Sequence, residues 1–276
     1  LLTASGNNPI ELMRIDAFSR LFELMFLMAL LLVSAALIGR VPADPNPSAD
    51  DFEQLFDNRR QVDLHLLLLI SGIGMLIVAM SMNLFLLFIG LELASLSIYV
   101  LVAFHKESKV GSEAGVKYFI VGAVSSAVGL YGMSLLYLWS GTLQVSGLAL
   151  AWSSMGDLEA LPMVGLGLLL VGFGFKVSAV PFHFATPDAY AGASSPIAAL
   201  LASASKALGF VGLLRILFIV TMPDSGEGAA WMLALGIISV VTMTWGNIAA
   251  LSSTNPKRML AYSSVAHAGY MLAALV

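Results

Sequence analysis

The sequence contains no cysteine. That excludes a disulfide framework and a cysteine-ligated iron–sulfur cluster within this chain. Charge is also scarce: 11% of residues are charged, against roughly 25% in soluble domains. No zinc-ligand spacing appears, and no glycine-rich phosphate or dinucleotide fingerprint follows a strand-like run. No soluble domain of ordinary size, roughly 100 residues or more, fits between the apolar stretches. The opening residues lack the basic region, short apolar core and cleavage site of a signal peptide. The formal net charge of −4 says little about partners, because few of those charges share a compartment. No nucleic-acid partner is expected.

What is abundant is apolar side chain. Hydrophobic residues make up 59% of the chain, and the mean hydropathy is +0.91. This composition describes an all-α polytopic membrane bundle. Residues 1–276 read as one transmembrane domain of about eight spans: 21–39, 64–80, 84–104, 114–139, 161–190, 196–222, 229–251, and one opened by Pro256, Lys257 and Arg258. Each full run is near the roughly 20 residues that cross a hydrocarbon core. Residues 40–63 are expected to be a polar linker, and 140–159 a polar, acidic loop. The chain starts at Leu1 and stops at Val276 inside an apolar run, so it is expected to be part of a longer protein with further spans on both sides.

Eight spans give alternating loops. One side holds Arg40, Arg59, Arg60, Lys106, Lys109, Lys257 and Arg258; the other holds Arg14 and Arg20, then Asp157, Glu159, Asp224 and Glu227. The excess of lysine and arginine places the first side in the cytoplasm. The alternation holds only if residues 161–190 make one crossing.

That crossing contains an interruption. The stretch 172–196 reads GFGFKVSAVPFHFATPDAYAGASSP. Pro181 inside a helix removes a backbone hydrogen bond and clashes with the carbonyl of Val177. In a bilayer such a break persists only where protein or a wet cavity takes up the freed groups. A helix ending there also aims its negative dipole end at Lys176. The alternative is a kinked helix with a snorkelling lysine.

Two more charges lie deep. Glu92 is about 14 Å along its span from Asn83, and Lys206 about 15 Å past Pro196, both near the middle of the hydrocarbon. A central charge costs about 2.5 to 3.5 kcal/mol on insertion scales, so partners or water are needed. Glu92 can pair with Lys176. Burial penalises both charges and pairing offsets the penalty, which leaves such a lysine able to gain and lose a proton. His183 titrates near neutrality and is a candidate relay between Lys176 and Lys206; its alternative is a neutral imidazole bonded to the unwound backbone. Lys117, one turn into its span beside Glu113, fits a snorkelling or a functional role equally. Tyr99, Tyr118, Tyr131, Tyr262, Ser178, Ser203 and Ser205 are expected to satisfy local backbone groups, with ordered water as the alternative. His267 would extend a polar path if the last span faces the sixth. Small residues at helical spacing, Gly122, Ser125, Ser126, Gly129 and Gly132, mark a close-packing face.

The runs LFIGLELASLSIYVLVAF, EAGVKYFIVGAVSSAVGLYG, GFGFKVSAVPFHFATPDAYAGASSP, ASASKALGF and NPKRMLAYSSVAHAGYML resemble the antiporter-like membrane subunits of respiratory complex I. Within that family they are most similar to subunit N of bacterial NADH–quinone oxidoreductase, whose mitochondrial counterpart is NADH dehydrogenase subunit 2. The resemblance implies an inverted-repeat proton channel in which each repeat has a broken helix and a key lysine. It implies Glu92 as the coupling glutamate, Lys176 as its partner, Lys206 as the central lysine, Lys117 as the lysine of the KYF block, and His183 as the polar residue of the break. It implies a non-redox, proton-translocating subunit of a translocase in the bacterial inner membrane. No cofactor is expected in this chain; NADH, FMN, iron–sulfur clusters and quinone would reside with partner subunits, and the contacts would be other complex I membrane subunits and lipids. The alternatives are an Mrp-type cation/proton antiporter subunit and an inert membrane scaffold.

Overall fold

The computed structural model describes residues 12–38, 51–105, 107–155, 159–220 and 228–276, without side chains at 51–59, 218–220 and 228–231. Eleven helices are described: α1 (Ala17–Leu37), α2 (Asp51–Met80), α3 (Leu84–Val102), α4 (Lys109–Ser140), α5 (Val145–Ser153), α6 (Ala160–Val177), α7 (Thr186–Gly192), α8 (Ser195–Leu200), α9 (Lys206–Val220), α10 (Gly228–Ser252) and α11 (Pro256–Ala273). A π-helical turn, Leu201–Ser205, joins α8 to α9.

Short polar side chains start the helices by taking up their first free N–H groups. Asp16 and Ser19 form a reciprocal capping box on α1. Asn83 accepts from the Phe85 and Leu86 amides at α3, Ser108 accepts from the Gly111 amide at α4, and Asn255 accepts from the Lys257 and Arg258 amides at α11. α4 ends at Gly141, whose φ of 70° suits a residue without Cβ.

Among the described residues, seven helical segments are long and apolar enough to cross a membrane: α1, Arg60–Met80 of α2, α3, α4, α6, Ser195–Leu217 and Met232–Ser252. The eighth expected crossing, α11, lies along α10 but is opened by a lysine and an arginine and is not among the seven. Two other expectations change. Of the linker expected at 40–63, residues 51–63 are the first turns of α2, and 39–50 lie outside the described residues. The loop expected at 140–159 contains the short helix α5, which packs toward α9.

α2 and α3 form one antiparallel pair, α10 and α11 another, and α4 lies against α6. The small-residue face of α4 makes that last seam. A Cβ added at Gly129 would lie 3.4 Å from the Gly172 Cα, and one at Gly132 would lie 2.5 Å from the Gly165 carbonyl oxygen. Backbones therefore touch, as small residues permit between helices in lipid.

The two ends of the bundle are closed differently. At one end the 81–83 turn is threaded between two segments: the Arg14 amide donates to the Met80 carbonyl (2.8 Å), Met82 to Leu12 (3.0 Å), Val145 to Met82 (3.0 Å) and Leu84 to Leu143 (2.8 Å). Arg215 of α9 locks this end. Its guanidinium donates to the Ala79 carbonyl at 2.6 Å, approaches the Asp16 carboxylate at 3.5 Å and stacks over the Phe18 ring at 4.9 Å. At the other end Arg60 pairs with Glu107 at 2.6 Å, and Asp188 pairs with Arg258. Arg60, Lys257 and Arg258 thus share one end with α7, as the charge alternation required. Arg40, Lys106, Asp157, Asp224 and Glu227 lie outside the described residues.

Removing one partner of a buried ion pair costs about 3 to 5 kcal/mol. Arg215→Met is therefore expected to lower the thermal unfolding midpoint of the detergent-solubilised protein by more than Arg20→Met does. Burial works to raise the Asp16 carboxyl, but the Ser19 amide and Arg215 together hold it below its ordinary value. A carboxyl depressed in the folded state stabilises fully above its unfolded value and loses that contribution as pH falls through the folded one. The Arg215→Met penalty should thus be flat from neutral pH to about pH 5 and shrink below about pH 4, measured by thermal shift across pH.

Candidate functional site

α6 ends at Val177, one residue past Lys176. Ser178 terminates it in the left-handed region at φ 62°, an uncommon conformation for a residue with a side chain. Its N–H donates to the Phe175 carbonyl (3.0 Å), and the Ala179 N–H to the Gly174 carbonyl (2.8 Å). The interruption then runs to Ala185, and α7 resumes at Thr186. Neighbours satisfy its exposed groups. The Val180 N–H donates to Thr242 Oγ1 on α10 at 3.0 Å, and Thr186 Oγ1 donates to Ser178 Oγ at 2.9 Å.

Lys176 emerges from this last turn into a buried polar cluster. Its Nζ donates to Ser95 Oγ at 2.6 Å and to Tyr99 Oη at 3.2 Å, both on α3. Glu92 Oε1, one turn away, is 3.6 Å from the same nitrogen. Ser126 on α4 donates to that oxygen at 2.6 Å. The side chains of Lys176 and Glu92 are 8% and 22% exposed. A separation of 3.6 Å is longer than a direct hydrogen bond. The ammonium is bonded to hydroxyls and the carboxylate to Ser126, so the two charges attract without being clamped. A cavity of about 30 Å³ touches Glu92, Ser126 and Lys176, large enough for a water molecule.

Lys206 opens α9 directly after the π turn and is 4% exposed. Its Nζ donates to the Ser264 carbonyl of α11. No carboxylate pairs with it among the described residues. It borders a cavity of about 480 Å³ between α7, the π turn and α11, lined also by Tyr190, Lys257, Ser264 and His267. The last helix therefore does face the sixth span, and His267 shares that cavity.

The other two expected site residues sit apart from these. Lys117 is half exposed and belongs to a charged cluster, 2.6 Å from Glu113 and 3.3 Å from Asp188, which also receives Arg258. α4 has 32 residues, about 48 Å at helical rise. Its length exceeds a core about 30 Å thick, and Lys117 lies in its third turn, at the charged end of the bundle. His183 is 4% exposed, but neither lysine is among its partners. Its ring faces the Pro181 carbonyl, lies 4.9 Å from the Phe184 ring and meets Trp245 of α10 edge-on at 6.1 Å. Nδ1 has no hydrogen-bond partner among the described residues. Among the described residues no hydrogen bond or ion pair joins His183 to either lysine, and its ring meets Trp245 of α10. Glu23 of α1 has one carboxylate oxygen enclosed without a partner among the described residues. Ser95, Asp188 and Arg215 carry no role in the sequence analysis, and Ser126 is there only as part of a packing face. Arg215 carried a usable signal, a charge inside the apolar run of the sixth span.

These features define a class: a multi-pass helical membrane protein with a broken helix and paired intramembrane charges. The chain belongs to the NADH:quinone oxidoreductase/Mrp antiporter transmembrane family, whose model matches residues 81–276. It is 41% identical over 268 residues to NADH-quinone oxidoreductase subunit N of Heliobacterium modesticaldum, covering 96% of this chain and 52% of that one. It is 40% identical over 267 residues to F(420)H(2) dehydrogenase subunit N of Methanosarcina mazei, covering 95% and 49%. The chain spans about half the length of the curated relatives it matches. A chain of respiratory complex I from Thermus thermophilus, solved with bound aureothin, superposes with a TM-score of 0.66 at 34% identity, covering 93% of this chain and 59% of that one. A chain of the Mrp complex from Dietzia shares the fold at TM-score 0.69 and 21% identity, covering 94% and 54%.

A double-variant cycle tests the pair. Glu92→Gln and Lys176→Met each strand one buried charge, whereas the double variant strands none. The double variant should unfold later than the sum of the two single losses predicts, by a coupling of about 1 to 3 kcal/mol; additive losses would show that the two charges do not interact.

Proposed function

We propose that this chain is part of a proton-translocating membrane subunit of NADH–quinone oxidoreductase, respiratory complex I, seated in the bacterial inner membrane. The reading rests most on one observation: Lys176, at the end of a broken helix, attracts Glu92 at 3.6 Å without a clamping hydrogen bond. It draws further support from relatives near 40% identity that carry the subunit N name. The chain offers no thiolate set for an iron–sulfur cluster. NADH, FMN, clusters and quinone chemistry belong in this reading to partner subunits, and the chain packs against other membrane subunits and lipid.

The residues act through charge compensation. With Glu92 near, the Lys176 ammonium has a counter-charge and two hydroxyl partners. When Glu92 turns toward a neighbouring subunit, the ammonium is left buried and uncompensated, a state that costs several kcal/mol. Passing its proton onward relieves that cost, and Lys206, already bonded to the Ser264 carbonyl, is the next basic group inward. Return of Glu92 reloads Lys176. Electron transfer elsewhere in the complex drives the swing of Glu92. Lys117 lies at the charged end and His183 in the break, and neither is assigned a transfer step.

An Mrp-type cation/proton antiporter subunit is the second reading, since the matching family model spans both branches. Copurification separates the two: hydrophilic flavin and iron–sulfur subunits select the first, Mrp-type partners the second.

Lys176→Met in the assembled complex is expected to reduce proton translocation in inverted membrane vesicles by about tenfold or more while leaving assembly intact. Unchanged translocation and turnover would remove Lys176 from the path. Glu92→Gln should impair coupling, and Glu92→Asp, which keeps the charge, should retain part of it.

A further inference from the structure

One serine beside the ion pair directs its proton unusually. A serine inside a helix ordinarily donates to a carbonyl about one turn back. Ser71, Ser97 and Ser134 do so, each bonding a carbonyl of its own helix three or four residues earlier. Ser95 does the same with Leu91, so only its lone pairs are left for Lys176. Ser126 instead crosses to α3 and donates to Glu92 Oε1 at 2.6 Å. That is the oxygen that Lys176 Nζ approaches to 3.6 Å. Hydroxyl and ammonium therefore compete for one acceptor, and the hydroxyl holds it at hydrogen-bond distance.

The backbone fixes where Ser126 stands. One turn before it, a Cβ at Gly122 would lie 2.1 Å from Tyr99 Oη of α3. One turn after it, a Cβ at Gly129 would lie 3.4 Å from the Gly172 Cα of α6. α4 is thus seated close against both partners of the ion pair, with Ser126 between the two contacts. Ser126 also borders the cavity of about 30 Å³ that touches Glu92 and Lys176.

We infer that Ser126 is a positioning residue of the ion pair: its hydrogen bond holds the Glu92 carboxylate off Lys176 and keeps the pair able to open. This deepens the translocating role proposed above and rests on it. The bond is exchanged when Glu92 turns away, not simply lost. The Ser126 hydroxyl then has the Gly122 carbonyl, four residues earlier, as the ordinary acceptor of a helical serine. Without the hydroxyl, Oε1 has the ammonium as its bonding partner. The pair closes into a direct salt bridge, and Glu92 becomes harder to withdraw. Ser126 keeps its own proton throughout.

Two measurements test this. The first needs no turnover. In the detergent-solubilised full-length subunit, the Glu92→Gln and Lys176→Met cycle of unfolding midpoints is repeated in a Ser126→Ala background. Coupling between the two positions is expected to be larger there than in the parent. Loss of a packing contact alone would lower the midpoint without strengthening that coupling, so equal or smaller coupling overturns the inference. Absence of coupling in the parent would remove the ion pair itself, and the proposed function with it. The second measurement is proton translocation by the assembled complex in inverted membrane vesicles. Ser126→Ala and Ser126→Cys, whose thiol is a weak donor, are each expected to lower it about threefold to tenfold, the effect of one hydrogen bond. Ser126→Thr, which restores a hydroxyl, is expected to recover most of the loss. Parent-like translocation by Ser126→Ala and Ser126→Cys overturns the inference. So does a loss in Ser126→Thr as deep as in Ser126→Ala, which would make the effect one of packing. Lys176→Met is the reference: parent-like translocation in that variant sinks the translocating role rather than the part given to Ser126.

Discussion

A charge in hydrocarbon must be surrounded before it can be tolerated, and much of this structure is arranged around one ammonium. Lys176 receives the negative end of its own helix, two hydroxyls from α3 and the nearby Glu92 carboxylate. Each is a partial compensation. A single short, fully formed salt bridge would satisfy both charges and hold them fixed. Dividing the work between Ser95, Tyr99 and Ser126 leaves the ion pair itself long and separable. The interruption after Val177 is what makes the dipole end available there. Of the groups at the break, the Phe175 and Gly174 carbonyls accept from the Ser178 and Ala179 amides, and the Val180 N–H reaches Thr242 on another helix. The site is therefore inseparable from the packing of α6 against α4 and from the bonds that Lys176 makes to α3 and the break makes to α10.

The opposite end of the bundle solves a different problem. The turn at 81–83 would expose backbone donors and acceptors, and the segments at 12–14 and 143–145 pair with them. Arg215 ties this knot to α9 through the Ala79 carbonyl, Asp16 and the Phe18 ring. Its role is structural in geometry: it holds helix ends together and touches neither Glu92 nor either buried lysine.

Deep charges were legible in the sequence because they are costly. Glu92, Lys176 and Lys206 each interrupt an apolar run, and each proved to be buried beside polar partners. The break was legible because Pro181 cannot continue a helix. What the sequence could not carry was direction. Whether His183 points back to the lysines or out toward α10 depends on Thr242 and Trp245, some sixty residues away in the chain. The Glu113 neighbour of Lys117 was visible at helical spacing, but Asp188 and Arg258 reach it only through the fold. Helix α5 was hidden because a nine-residue helix between polar loops leaves too little periodicity to read. Arg215 obeyed the same cost argument as the lysines and was legible in principle.

The seam between α4 and α6 bears on how such a site could move. Where Gly129 meets Gly172 and Gly132 meets Gly165, main chain rests on main chain. Leu136 and Leu168 side chains pack beside the glycines, so the approach is close and filled on both flanks. In the function proposed above, the ion pair opens by torsions about the carbon–carbon bonds of Glu92 and Lys176. Rearrangements of that kind are far quicker than collective shifts of packed helices. The glycines thus bring the helix that carries Lys176 in its last turn into direct backbone contact with the helix that carries Ser126.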